Sequence, residues 1–439
     1  MKNNAQLQLN FSKQDSFKMK SLTPLFASAL SMAAIISSCG SGAFSREGPN
    51  TGITVSEQMT QDLGTPLLQS VENHTGGLSI IVLNKNEFGA SGQVTGAQLR
   101  QYLQDRDLDT PYLTDQGADD IADALQTDQM AALKAINKNT NETVLCVVSV
   151  GQLNRSLTNH ISELSSIPED LVENAVGTPS QWQTAKLMHE FMHCAQPYQK
   201  RSMLDFDITA GLEIDADQKM FSYMQDIYGG NIRDFLKGYR AARAVASVHY
   251  TSVTHHTHTD LLVEGEAELP HQATPKLIVQ QSNGIRNALA EKVGRLTERS
   301  DLLIQAVREQ IAFEEQWSVH NPILKTQPDI LQRAAHMRPA DFFATYANPD
   351  DDNRFIRGIQ NHLATLIKAE QNNPDTYRVF YQAAVELLED GHFRDNTYAT
   401  HFLQTYVDGI TLLMPTVANP NIRVPMATAT ASQLSRPSA

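Results

Sequence analysis

The sequence predicts a predominantly helical α+β chain, and three observations predict it. Two short apolar runs rich in β-branched residues, 78–83 and 144–150, read as strands. Beyond Gly229-Gly230 almost every stretch repeats its apolar residues at helical spacing, with breaks at Asn321-Pro322, Asn348-Pro349 and Asn373-Pro374. Between these regions a helix from about Thr178 to Pro197 carries His189, Glu190 and His193 on an otherwise apolar segment. Such polar groups need compensation when buried.

Taken in order, the chain starts with Lys18 and Lys20 ahead of an apolar run from Leu22 to Ile36, too short to span a bilayer. It reads as a secretion signal over 1–38, and translation starting at Met19 would leave a compact one. The ending Ile36-Ser37-Ser38-Cys39 resembles the bacterial lipobox, which implies that Cys39 carries lipid. Several acyl chains, at roughly 0.8 kcal/mol per buried methylene, would hold the protein on a membrane surface. Gly40 after that cysteine resembles lipoproteins sorted to the outer membrane, so the expected location is the bacterial cell envelope, on the periplasmic face of the outer membrane. Residues 39–64 are rich in Ser, Gly, Thr and Pro and read as a flexible tether.

A first folded region is expected over 65–270. Within it 98–105 and 118–136 read as helices beside the two strands. The helix after Thr178 has its start chemistry in Thr178-Pro179-Ser180 and its stop in Pro197. Residues i and i+4 share a helix face, so His189 and His193 can offer ring nitrogens to one ion about 2 Å from each. Glu190, rotated about 100° from His189, sits beside that ion, where a carboxylate can serve as general base to a water. In 209–228 one stripe reads Ala210, Glu213, Asp217, Met220, Phe221, Met224 and Tyr228, so two carboxylates interrupt a core face. Glu213 is assigned to the ion and Asp217 to a hydrogen bond behind His189.

The arrangement His189-Glu190-x-x-His193, nineteen residues, Glu213, three residues, Asp217 resembles the gluzincin zinc metallopeptidases, at thermolysin-like spacing. Glu213-Ile214-Asp215-Ala216-Asp217 also resembles the Glu-x-x-Ala-Asp of the CaaX-prenyl-protease and heat-shock-protease group. The resemblance covers about a tenth of the chain and implies a zincin-like domain with a small sheet and an active-site helix. It further implies Zn2+ as cofactor, a peptide or protein substrate, and an edge strand lining the cleft. The metzincin continuation is missing, because Gln196 and Gln199 stand where Gly and His would be needed.

A group for the oxyanion is expected downstream, with His249, Tyr250, His255, His256 and His258 as candidates and His255 the choice. Glu264 or Glu266 rivals Glu213, since Glu264-Gly265-Glu266-Ala267 resembles a Glu-Gly-x-Ala string of less-characterised zinc peptidases that share His193-Cys194-Ala195-Gln196. Glu213 is preferred because no apolar stripe surrounds Glu264.

Residues 271–415 read as a helical bundle and 416–439, rich in Thr, Ala, Ser and Pro, as a disordered tail. With Cys39 lipidated, Cys146 and Cys194 remain, and two buried thiols are expected in preference to a bridge. The formal net charge of −14 argues against nucleic acid or an anionic surface as main partner, so membrane contact would come through the N-terminal lipid.

Overall fold

The structure is a computed structural model that describes residues 53–54, 78–88, 93–106, 108, 111–127, 130–137, 139–140, 142–150, 155–196, 206–249, 275–317, 329–346 and 354–419. The signal, most of the tether including Cys39, the tract containing Tyr250, His255, His256, His258, Glu264 and Glu266, and the boundary expected near 270 lie outside that set.

Four strands form one mixed sheet: β1 (Ile53–Thr54), β2 (Ile80–Leu83), β3 (Ala131–Asn137) and β4 (Glu142–Ser149), in the order β1-β2-β4-β3. β2 runs parallel to β1 and to β4, whereas β3 pairs antiparallel with β4, Ala132 opposite Val148 and Lys134 opposite Cys146. Both faces of the sheet are buried. Ile81, Leu83, Leu133, Ala135, Leu145 and Val147 pack with Leu99 and Leu103 of α1 (Gly96–Gln104) and with Ile121 and Leu125 of α2 (Asp115–Gln126). Ile80, Val82, Ala132, Cys146 and Val148 face the main core. Two-sided burial explains why β2 and β4 read as unbroken apolar runs rather than alternating ones.

Strand β3 corrects the sequence reading, which extended a helix from 118 to 136. The helix ends at Gln126 and residues 131–137 pair with β4. Ala, Leu and Lys are good helix formers, but a short apolar run has no period of its own to separate strand from buried helix. The ladder with β4 decides it.

The main core gathers α3 (Leu157–Ser165), α4 (Pro179–Ala195), α5 (Phe206–Tyr228) and α6 (Arg233–His249). It continues without a break into α7 (Pro275–Leu296), α8 (Ser300–Gln316), α9 (Ile330–His336), α10 (Pro339–Tyr346), α11 (Arg354–Ala369), α12 (Pro374–Glu389), α13 (Thr397–Leu413) and α14 (Pro415–Ala418). The predominantly helical α+β class predicted above is the class observed. α3 and α10 had not been anticipated. α14 corrects the start of the expected tail: Val417 is buried, and the Thr416 backbone N–H donates to Glu173 at 2.8 Å.

A third correction concerns the cysteines. Cys146 of β4 and Cys194 of α4 form a disulfide, with Cα atoms 5.7 Å apart. Both residues are buried, so as thiols they would also have suited the core. Spacing in the sequence gave no sign that β4 lies directly beneath the end of α4.

Candidate metal centre

Helix α4 is fixed at both ends. Thr178 caps its first turn, accepting from the Gln181 N–H, while the Gln181 side chain accepts from the Thr178 N–H and Pro179 occupies the first turn. The turn before it needs Gly177, at φ +84°, where an added Cβ would lie 3.1 Å from the Trp182 indole nitrogen. Trp182 in turn donates to the Val176 carbonyl at 2.8 Å. The disulfide then holds the last turn to β4, one residue beyond His193.

His189, His193 and Glu213 are buried and brought together as expected, and they can hold a metal ion. His189 Nε2 is 3.1 Å from His193 Nε2 and 3.0 Å from Glu213 Oε2, which is 3.3 Å from His193 Nε2. Zinc bonded at about 2.0–2.1 Å with tetrahedral angles would separate its ligands by about 3.3 Å. The three atoms therefore already stand close to the edges of one coordination polyhedron.

The other ring nitrogens explain why a cation belongs there. His189 Nδ1 lies 2.5 Å from Asp217 Oδ1, and His193 Nδ1 lies 3.0 Å from Gln196 Oε1. Carboxylate and amide oxygens only accept, so each imidazole carries its proton on Nδ1. Both Nε2 lone pairs then face each other and Glu213 Oε2. Three converging acceptors repel unless a proton or a metal lies between them. Without metal, the proton takes that role: burial lowers the His189 pKa, but the charge and hydrogen bonds of Asp217 and Glu213 outweigh it and raise the pKa to about 10.

Asp217 sits one turn after Glu213 on α5 and is fully buried. Its Oδ1 also accepts from the Tyr239 hydroxyl at 3.1 Å, and Tyr239 accepts from Arg243 at 3.0 Å. Arg243 Nη2 is 3.7 Å from Asp217 Oδ1. Burial alone would raise the Asp217 pKa; Arg243 and His189 overcome it and hold the carboxyl below its usual range. Tyr239 and Arg243, both on α6, were not found from the sequence. They belong to no motif, and a Tyr/Arg pair at i, i+4 spacing is ordinary on the polar face of an amphipathic helix.

Glu190 lies beside the trio and, unlike the three ligands, is partly exposed. Burial raises its pKa, with Glu213 adding to the rise; the two histidines and a hydrogen bond from the Ala132 backbone oppose it. Ala132 belongs to β3, the edge strand, so the strand misread as helix is the one beside the candidate base.

His249, a candidate for the oxyanion role, is engaged elsewhere. Its Nε2 is 2.7 Å from the Tyr406 hydroxyl, and its ring packs on Tyr377 and Phe380 with 1% exposure. His255 and the remaining candidates of that tract lie outside the described residues.

The chain matches no family model, and neither the curated proteins nor the solved structures show a significant similarity to it. The class that fold and site define is thus a mostly helical α+β protein with a buried His/His/Glu group able to take a metal ion.

Proposed function

We propose that this protein is a zinc-dependent endopeptidase of gluzincin type. The observation that carries the proposal is the pairing of three converging lone-pair donors with an adjacent carboxylate that is partly open to solvent. A site built only to hold a structural ion has no use for Glu190.

Zinc held by His189, His193 and Glu213 would polarise the scissile carbonyl and acidify a water in its open position. Glu190 takes the proton from the attacking water and delivers it to the departing amine. Asp217 keeps the His189 Nε2 lone pair aimed inward, while Tyr239 and Arg243 hold Asp217 as an anion. Among the described strands β3 lies at the edge of the sheet, where its outer side could offer backbone groups to an extended peptide. The oxyanion donor is assigned to the 250–258 tract, with His255 as its first candidate.

The Cys146–Cys194 bridge is consistent with an oxidising compartment outside the cytoplasm, which supports the envelope location read from the signal. No helix among the described residues is long and apolar enough to cross a membrane. Attachment through lipid on Cys39 rests on the resemblance of Ile36-Ser37-Ser38-Cys39 to a lipobox and is part of the proposal, and acyl labelling that Cys39→Ser abolishes tests it.

The deciding experiment measures zinc content and casein or peptide turnover for wild type and Glu190→Gln. One zinc in both proteins, with turnover only in the wild type, is expected. One tightly bound zinc without turnover in either would favour a non-catalytic scaffold, and several zinc ions per chain would favour a zinc-binding lipoprotein.

A further inference from the structure

We infer that Gln196 is a positioning residue that fixes the tautomer of His193 and locks it to the backbone beside Glu213, so that two of the three metal ligands are set before metal arrives. The inference rests on the metal-site reading above. It uses the one residue of the His-x-x-Gln string that the proposed chemistry leaves without a role.

Gln196 follows the last residue of α4 and is 2% exposed. Its backbone is extended, at φ −69° and ψ 143°, and its side-chain oxygen lies against the His193 ring. The Nε2 amide group donates to the Leu212 carbonyl at 2.6 Å and to Asp215 Oδ2 at 3.1 Å. Both partners only accept, so the amide has a single sensible orientation, and Oε1 must be the atom facing His193 Nδ1 at 3.0 Å. The His193 proton is thereby placed on Nδ1, and the Nε2 lone pair is left for the metal.

The same amide joins two helices. Leu212 immediately precedes Glu213, so one side chain ties the imidazole on α4 to the backbone that carries the carboxylate ligand on α5. A third element is attached as well, because Lys134 of β3 donates to the Gln196 carbonyl at 2.7 Å. β3 is also the strand whose Ala132 N–H contacts Glu190. The two histidines are therefore supported differently. His189 is backed by the anionic Asp217 and His193 by a neutral amide.

The test uses the full chain with Gln196→Met, which keeps the volume but neither accepts from His193 nor donates to Leu212. Gln196→Asn is the second variant, one methylene too short to reach both partners. Gln196→Glu keeps only the acceptor. Zinc affinity is measured by competition with a chromophoric chelator, and the His193 tautomer by long-range 1H–15N spectra of the metal-free protein. The expected result is the Nδ1–H tautomer in wild type and in Gln196→Glu, and a mixture in Gln196→Met and Gln196→Asn. Zinc affinity should fall about 10- to 100-fold in the latter two, the range for loss of a partner that orients a metal-bound histidine. Should one of them fail to fold, the other carries the same expectation.

A folded Gln196→Met or Gln196→Asn protein with the Nδ1–H tautomer intact, or with zinc affinity within threefold of wild type, would overturn the inference. The tautomer reading needs neither metal nor turnover. A wild type that binds no zinc sinks the metal-site reading, whereas a wild type that binds zinc no better than the Gln196 variants sinks this one.

Discussion

Removing the Cys146–Cys194 bridge should both destabilise the fold and weaken the metal site. The two cysteines are 48 residues apart in sequence and join a central strand to the end of the helix that carries both histidines. Closing a loop of that length lowers the entropy of the unfolded chain enough to be worth about 4 kcal/mol at 25 °C, and losses on removing such bridges run from about 2 to 5 kcal/mol. Spread over the unfolding entropy of a chain this size, roughly 0.8 kcal/mol/K, this lowers Tm by about 5 °C. The double variant Cys146→Ala/Cys194→Ala is compared with oxidised wild type by thermal unfolding in chelator, and then again with zinc. The metal-free comparison should show the full loss. With zinc, the gain on metal addition should be smaller in the variant, because His193 adjoins the released Cys194. A variant whose Tm lies within a degree of wild type, or which binds zinc as tightly as wild type, would refute the view that the bridge anchors α4 beneath the site.

The Arg243 guanidinium faces a fully buried carboxylate, so Arg243→Met should destabilise the fold, by less than the roughly 3–5 kcal/mol of a wholly unpaired buried charge because His189 and Tyr239 still face Asp217. Urea denaturation checks this, and adding Asp217→Asn should recover part of the loss; strictly additive costs would contradict the coupling. Acid should weaken the fold through His160 and His249. Burial, then the charge of Lys186, lowers the His160 pKa to about 4, and burial, then Lys368, puts His249 well below its ordinary value. Each is neutral when folded but takes a proton below about pH 6.5 when unfolded. Stability is thus complete above that pH and falls as pH drops below it, by at most about 1.4 kcal/mol per unit per histidine. His189 in the metal-free protein, its pKa raised to about 10, keeps its proton when folded while the unfolded chain gains one around pH 6.5, so it offsets a small part of the loss near that pH and none well below it. A metal-free protein equally stable at pH 7 and pH 5 would rule this out. Chelation should lower Tm reversibly, by the amount that a ligand held at about 100 times its Kd contributes, roughly 2.7 kcal/mol. The same treatment should leave His193→Ala unmoved, and an equal shift in that variant would place the bound metal elsewhere.

The core of the site was legible because helical spacing and burial constrain it twice. His189, Glu190 and His193 share a helix with readable start and stop signals, and Glu213 and Asp217 stood out as carboxylates on an apolar stripe. What could not be read depends on contacts between distant segments. Tyr239 and Arg243 become meaningful only when α6 packs behind Asp217, and Gln196 only when the end of α4 meets Leu212. β3 was misassigned because Ala131 to Ile136 has helix-forming residues and no alternation, both of its faces being buried. The bridge went unpredicted because a sequence separation of 48 hides the proximity of β4 and α4. The long helices of the second half were visible from their period, apart from short ones such as α10, which spans two turns.

Zinc K-edge X-ray absorption on the purified, zinc-loaded protein tests the central claim most directly. Two imidazole nitrogens and two further light atoms at about 2.0–2.1 Å, with no sulfur, are predicted for a four-coordinate site of two histidines, one carboxylate and one water. Loss of one imidazole in His193→Ala should be visible in the same spectrum. A sulfur shell near 2.3 Å, or a wild-type spectrum unchanged by removing His193, would contradict it.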